Sequence, residues 1–385
     1  MTGTPHRRRH PPAVYERRRL ALAVGLTIVV LVGPVAARSF GSDGGHAVDR
    51  APAGRPQPAV VHQPPHPRVT PPGRLAAGSR PSVLPGPVLV ADRSNDRLLV
   101  IDPQGRVRWQ FPRPGDLAAG QHFPVPDDAF VSPDGRYIVA TEEDAFVVSL
   151  IDVARHRIVW RYGVPGQAGS GPDRLFNPDD AMMLPDGSVL TADIKNCRVL
   201  VIPRGAHAPS RQFGRPGGCY HRPPYRLGSP NGAFPMRNGH LLVTEINGSW
   251  VSEMGLDGRV YWSVHPPAVA YPSDTNEIAP GRYLTVDYSA PGQILAFDAA
   301  GRTLWRYRPT GRSALSYPSL ALPLPDGDIL CNDDRNHRVI VVDPRTDRVV
   351  WQYGRTGVAG RGPGLLDNPD GVDLVPPGFP LSSVR

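Results

Sequence analysis

The chain has 385 residues, 43 basic and 35 acidic side chains, and a formal net charge of +8. Residues 1–80 hold 12 arginines and 3 acidic groups, a net of +9 that leaves −1 for the remainder, so the basic character belongs to a tail and does not mark the rest as a nucleic-acid binder. Three cysteines are too few for a disulfide framework, and the absence of CxxC or Cys/His spacing argues against zinc.

Taken in order, the first element is a basic segment, residues 1–19, with Arg7-Arg8-Arg9 and Arg17-Arg18-Arg19. Residues 20–37 form an uncharged run of 18, rich in Leu, Val, Ile and Ala. That length is near the lower limit for crossing a bilayer and longer than most signal-peptide cores, so it predicts an uncleaved single-pass anchor. The basic flank stays in the cytoplasm and the C-terminal bulk lies outside. The alternative is a cleaved signal, with small residues at Val35-Ala36-Ala37, and a secreted product. Residues 38–86 are rich in Pro, Gly, Ala and Arg and read as an extended linker.

From residue 87 one phrase recurs, a Trp two residues before an aromatic or apolar residue. The copies are Trp109-Gln110-Phe111, Trp160-Arg161-Tyr162, Trp262-Ser263-Val264, Trp305-Arg306-Tyr307 and Trp351-Gln352-Tyr353, with Arg211-Gln212-Phe213 as a sixth in which Arg replaces Trp. A repeat of about 40 to 50 residues made of short strands is the signature of a β-propeller blade, and six copies predict six four-stranded blades over residues 87–378, with 379–385 as a tail. Pro-Asp-Gly at 133–135, 185–187 and 325–327 supplies hairpin turns. Blade one opens at Pro87-Val88-Leu89-Val90-Ala91-Asp92, which matches a second strand. Its missing inner strand is expected at the far end, in the stretch beginning Asn368-Pro369-Asp370-Gly371-Val372, so the C-terminal strand should close the ring.

Several motifs carry a family resemblance. Asp92-Arg93-Ser94-Asn95-Asp96-Arg97, Asp193-Ile194-Lys195-Asn196-Cys197-Arg198 and Asp333-Asp334-Arg335-Asn336-His337-Arg338 share Asp-x-x-Asn-x-Arg, and two Gly-rich loops end in Asn177-Pro178-Asp179 and Asn368-Pro369-Asp370. Together these resemble NHL-repeat propellers. Blades four and five, through Asn238-Gly239-His240-Leu241-Leu242-Val243-Thr244-Glu245 and the run to Trp262, are more similar to arylsulfotransferase-like blades. Asp102-Pro103-Gln104-Gly105 and Asp298-Ala299-Ala300-Gly301 are similar to quinoprotein-type blades. Quinoproteins that bind PQQ usually have eight blades, so six argues against that cofactor.

Two sets of acidic residues stand out. Asp92, Glu142, Asp193, Glu245, Asp287 and Asp333 end the second strands and are expected to brace neighbouring strands. A second set starts the inner strands, at one mouth of the central channel: Asp127-Asp128, Asp179-Asp180, Asn231, Asp274-Thr275-Asn276-Glu277, Ser319 and Asp370. Oxygen ligands converging on an axis suit Ca2+. The ligands expected are Asp128, Asp180, Asn231, Glu277 and Asp370, with Asn276 beside them, in an arrangement that resembles six-bladed lactonases. The competing reading is that these side chains only shape their own turns. The loop Tyr220-His221-Arg222 is expected to line a ligand surface with Tyr271 and Tyr317. Cys197 and Cys219 can pair in an oxidising compartment, and Cys331 reads as a buried thiol. No histidine set, Gly-x-Ser-x-Gly elbow, P-loop or His-Glu-x-x-His appears. The sequence therefore predicts a monomeric extracytoplasmic scaffold for a protein, glycan or small-molecule ligand. A metal-assisted lyase or hydrolase is the alternative, and an arylsulfotransferase-like enzyme a distant one.

Overall fold

A computed structural model describes residues 75–381. The basic segment, the apolar run 20–37 and most of the linker lie outside the described residues. The fold is all-β, six four-stranded antiparallel sheets joined only by loops and single 3-10 turns.

Blade 2 runs Pro126–Val131, Tyr137–Glu142, Val147–Asp152 and Arg157–Tyr162, from inner to outer strand. Blade 3 is Pro178–Met183, Val189–Asp193, Arg198–Ile202 and Arg211–Gly214; blade 4 is Pro230–Pro235, Leu241–Glu245, Trp250–Met254 and Val260–Val264. Blade 5 is Pro272–Ala279, Arg282–Asp287, Gln293–Asp298 and Thr303–Tyr307; blade 6 is Ala321–Pro323, Ile329–Asp333, Arg338–Asp343 and Arg348–Gly354. Blade 1 takes Val88–Asp92, Arg97–Ile101 and Val107–Phe111 from the start of the ring and its inner strand, Pro369–Leu374, from the end. Val88 faces Leu374 and Val90 faces Val372, so the expected closure is formed.

The second and third strands are apolar on both faces because each blade is covered on both sides. In Val88–Asp92 the alternation of strand side chains sends Val88 and Val90 into one cluster and Leu89 and Ala91 into another, shared with Ala129, Ile138 and Ala140 of blade 2. The core is thus a set of layers between blades rather than one central mass.

The Trp phrase serves these layers. Trp109 Nε1 donates to Val153 O in the next blade, Trp351 Nε1 to Pro103 O in blade 1, and Trp305 Nε1 to Asp347 Oδ1 in blade 6. Arg211, the substitute in blade 3, donates from Nη1 to Leu256 O of blade 4 at 3.2 Å. It has lost the ring and kept the inter-blade donor.

Residues 75–86, assigned to the linker by composition, pack on the propeller. Leu75 lies against the core, Val83 and Leu84 are buried, and the amides of Ala76 and Arg80 donate to Gln352 O and Val350 O. These bonds cover part of the outer edge of blade 6, which would otherwise present free backbone groups.

Candidate metal centre on the propeller axis

The inner strands begin with a shared device. Five open with a Pro followed by two short residues, Pro126-Asp127-Asp128, Pro178-Asp179-Asp180, Pro230-Asn231-Gly232, Pro272-Ser273-Asp274 and Pro369-Asp370-Gly371, while blade 6 departs with Pro318-Ser319-Leu320 ahead of its strand. Pairing with the second strand slips there, between Pro126 and Ala129, Pro178 and Ala181, Pro230 and Gly232, and Pro272 and Thr275, and opposite Asp370 between Ala91 and Asp92. Such bulges bend the strand and re-aim its side chains. Here they place both residues of the Asp pairs among buried carboxylates.

The first positions form an upper layer around Arg93. Its guanidinium donates to Asp127, to Asp370 Oδ2 at 2.7 Å and to Glu143 Oε2 at 2.8 Å. One internal cation therefore serves three buried carboxylates. Asp334 completes this side, accepting from Asn332 at 2.9 Å and Ser319 at 3.2 Å.

The second positions form a lower layer with no such cation among the described residues. Asp128, Asp180 and Asp274, from blades 2, 3 and 5, each offer an oxygen within 4.8 Å of the others, and Asp127, Asp128 and Asp179 make a second such group. All five carboxylates are 3% exposed or less, so no bulk water screens them. Among the described residues, both oxygens of Asp180, Asp128 Oδ1 and Asp274 Oδ1 have no hydrogen-bond partner. Burial first, then the neighbouring carboxylates, push Asp127, Asp128, Asp179 and Asp180 well above the usual carboxylate range. Burial likewise pushes Asp274 up to about 7. Glycine makes the space, since a Cβ on Gly232 would stand 2.6 Å from Asp274 Oδ1 and 2.9 Å from Asp180 Oδ2, and one on Gly371 would stand 2.8 Å from Asp128 Oδ1.

Beyond this layer the channel turns apolar. Phe130, Met182 and Phe234 lie two residues further along their strands, and the two phenylalanine rings meet edge to face at 5.5 Å. Asn276 sits at the same level in blade 5, donating to Ala321 O.

The residues expected from sequence divide as follows. Asp128 and Asp180 meet, together with Asp274 rather than Glu277. Asn231 lies beside Asp274 and donates to Ser273 Oγ. Asp370 is turned to Arg93. Glu277 accepts from Arg237 N on a blade 4 turn and is not brought to the cluster. Asp274 was visible in the acidic run of blade 5, and the signal that singles it out is its place after Pro272, matching Asp180 after Pro178. Arg93, Glu143 and Asp334 escaped the sequence reading; each directly follows a second-strand acid.

Those second-strand acids are internal struts. Asp92 accepts from Arg97 Nε at 2.6 Å, Asn95 at 2.9 Å and the Asp367 amide at 2.7 Å, and Asp193 and Asp333 repeat the pattern with Arg198 and Arg338 at 2.7 Å. Glu245 takes the Gly228 amide and His221 Nδ1, the latter at 2.9 Å, and His221 stacks on Trp250. Tyr220 is exposed next to it.

Carboxylates with unfilled lone pairs at this spacing can hold one hard cation, since Ca2+ takes oxygen ligands at about 2.3–2.6 Å. Asp128, Asp180 and Asp274 would hold it, with Asn231 alongside. Its charge would offset what Arg93 offsets in the upper layer.

A family model described as outer membrane protein assembly factor BamB matches residues 205–362. No curated protein matches the chain. Among solved structures, a protein of unknown function from Bacteroides caccae is similar at 17% identity and a TM-score of 0.52, over 75% of this chain and 98% of that one. A streptogramin B lyase is similar at 14% identity and a TM-score of 0.49, over 75% of this chain and 84% of that one. Virginiamycin B lyase from Staphylococcus aureus is similar at 15% identity and a TM-score of 0.47, over 69% of this chain and 83% of that one. Likeness at these identities shows the propeller fold alone.

Proposed function

We propose that the chain is a binding scaffold, a six-bladed propeller whose inner strands are tied at the axis by one divalent cation, with Ca2+ the best fit. The observation that carries this is the buried group Asp128, Asp180 and Asp274, four of whose six oxygens lack a partner among the described residues and which lie within a single ion's reach. Like charges so placed repel unless protons or a cation lie between them. The alternative of a metal-assisted lyase or hydrolase is less well supported. A catalytic ion must meet substrate, and these carboxylates are 1 to 2% exposed. Recognition then belongs to the loop face, and a protein ligand is in keeping with the assembly factor named for residues 205–362. An extracytoplasmic position, tethered by residues 20–37, is part of the same proposal, and the Cys197–Cys219 bond supports an oxidising compartment. The test is titration of Ca2+ into the chelator-stripped chain, where one equivalent should bind, alongside a screen of esters and lactones, where no turnover is expected.

A further inference from the structure

The connection from blade 3 to blade 4 begins Arg215-Pro216-Gly217-Gly218-Cys219-Tyr220-His221-Arg222-Pro223-Pro224-Tyr225-Arg226, with three arginines, two tyrosines and no acidic residue or lysine. It is held at four points. Cys219 is bonded to Cys197. Arg226 Nη1 donates to the carbonyls of Pro216 and Gly217, each at 2.9 Å. Asn247 Nδ2 donates to Cys219 O at 3.1 Å. His221 is fixed between Glu245 and the Trp250 ring, 4.1 Å away.

What this frame presents is unsatisfied. Tyr225 is 68% exposed and Tyr220 50%, more than any other large apolar or aromatic side chain among the described residues. Arg215 and Arg222 make no ion pair or side-chain hydrogen bond among the described residues. Both line a 460 Å³ pocket with Tyr225, Pro224, Gln212 and Gly214. The described chain is otherwise close to charge balance, so the positive face is local.

We propose that this face docks an acidic segment of a partner protein, its carboxylates meeting Arg215 and Arg222 and an apolar side chain entering the pocket against Tyr225 and Pro224. Tyr and Arg are enriched at interfaces and among the residues that dominate their energetics. A loop already cross-linked loses little freedom on binding, and unpaired arginines select carboxylates by charge and by their fork geometry. The inference rests on the scaffold reading and names the chemistry of its partner.

The test is selection of random dodecapeptides on the purified full-length chain, with fluorescence anisotropy of the enriched peptides against wild type, Arg215→Ser/Arg222→Ser and Tyr225→Ser. All three positions carry no internal bond of their side chain, so the Ca2+ titration and melt of the variants serve as fold controls. The expected result is acidic peptides whose binding weakens with salt and falls about tenfold or more in the double variant. Enriched peptides of neutral or basic character, or acidic peptides bound equally by the double variant, would overturn the proposal and leave the scaffold reading standing. Retention of heparin in place of any peptide, lost in the double variant, would overturn it in favour of a glycan. Binding of neither would overturn the proposal, while the scaffold reading would stand or fall with its own Ca2+ titration.

Discussion

Asp180 shows at the scale of one residue why the axis calls for a cation. It is 1% exposed, faces Asp274 and Asp128, and has no donor on either oxygen. An unpaired buried carboxylate is costly, and such a group either takes up a proton or finds a positive charge. Gly232 gives the sharpest local test. Its missing Cβ leaves room for the ends of two carboxylates, which can swing aside without disturbing backbone. Gly232→Ala should therefore leave the metal-free melt nearly unchanged and weaken Ca2+ binding by tenfold or more, about 1.4 kcal/mol per decade. Calorimetry on the variant checks both halves, and unchanged affinity would place the ion elsewhere.

At the scale of elements, the strand Pro369–Leu374 decides whether the ring exists. It supplies blade 1 with its inner strand and sets Gly371 against Asp128, so closure and the axial site share an element. Removing residues 366–385 should abolish the cooperative thermal transition and expose the edge of Val88–Asp92 to association, which light scattering during the melt would report. A truncated chain that melts as sharply as the intact one would contradict the closed ring. This element was legible in the sequence because its Asn-Pro-Asp start repeats that of blade 3, while blade 1 opens directly on a second strand and needs an inner one. The Trp positions were legible for a similar reason, since a large ring at a fixed phase has one use in a stack of sheets. Arg211 was harder, because the repeat keeps a hydrogen-bond donor there and not an aromatic. Glu277 misled because an acidic run has no period of its own. Only the bulge after Pro272 fixes which member, Asp274, shares a layer with Asp180. Residues 75–86 look like linker by composition, and their bonds to Val350 and Gln352 depend on tertiary context.

For the whole molecule the axial charge predicts how stability follows pH. Burial pushes Asp274 up to about 7 in the folded chain, whereas unfolded aspartates titrate at about pH 4. Between those limits the folded state holds more protons than the unfolded one, so metal-free stability must fall as pH rises from about 4 to 7. Above that window Asp274 is ionised in both states and its share of the loss is complete. Melts of the stripped chain across this range should show the decline. Saturating Ca2+ should shrink it, because a bound cation replaces the protons that the axial carboxylates otherwise require. A metal-free chain whose melting temperature rises over the same interval would contradict the burial of these groups.

The measurement that bears most directly on the central claim is calorimetric titration of Ca2+ into the chelator-stripped full-length chain, repeated on Asp180→Asn/Asp274→Asn. One equivalent should bind to the wild type, with a raised melting temperature, and the double variant should lose that binding while remaining folded. Absence of binding to the wild type, or equal binding to the variant, would contradict an axial cation held by Asp128, Asp180 and Asp274.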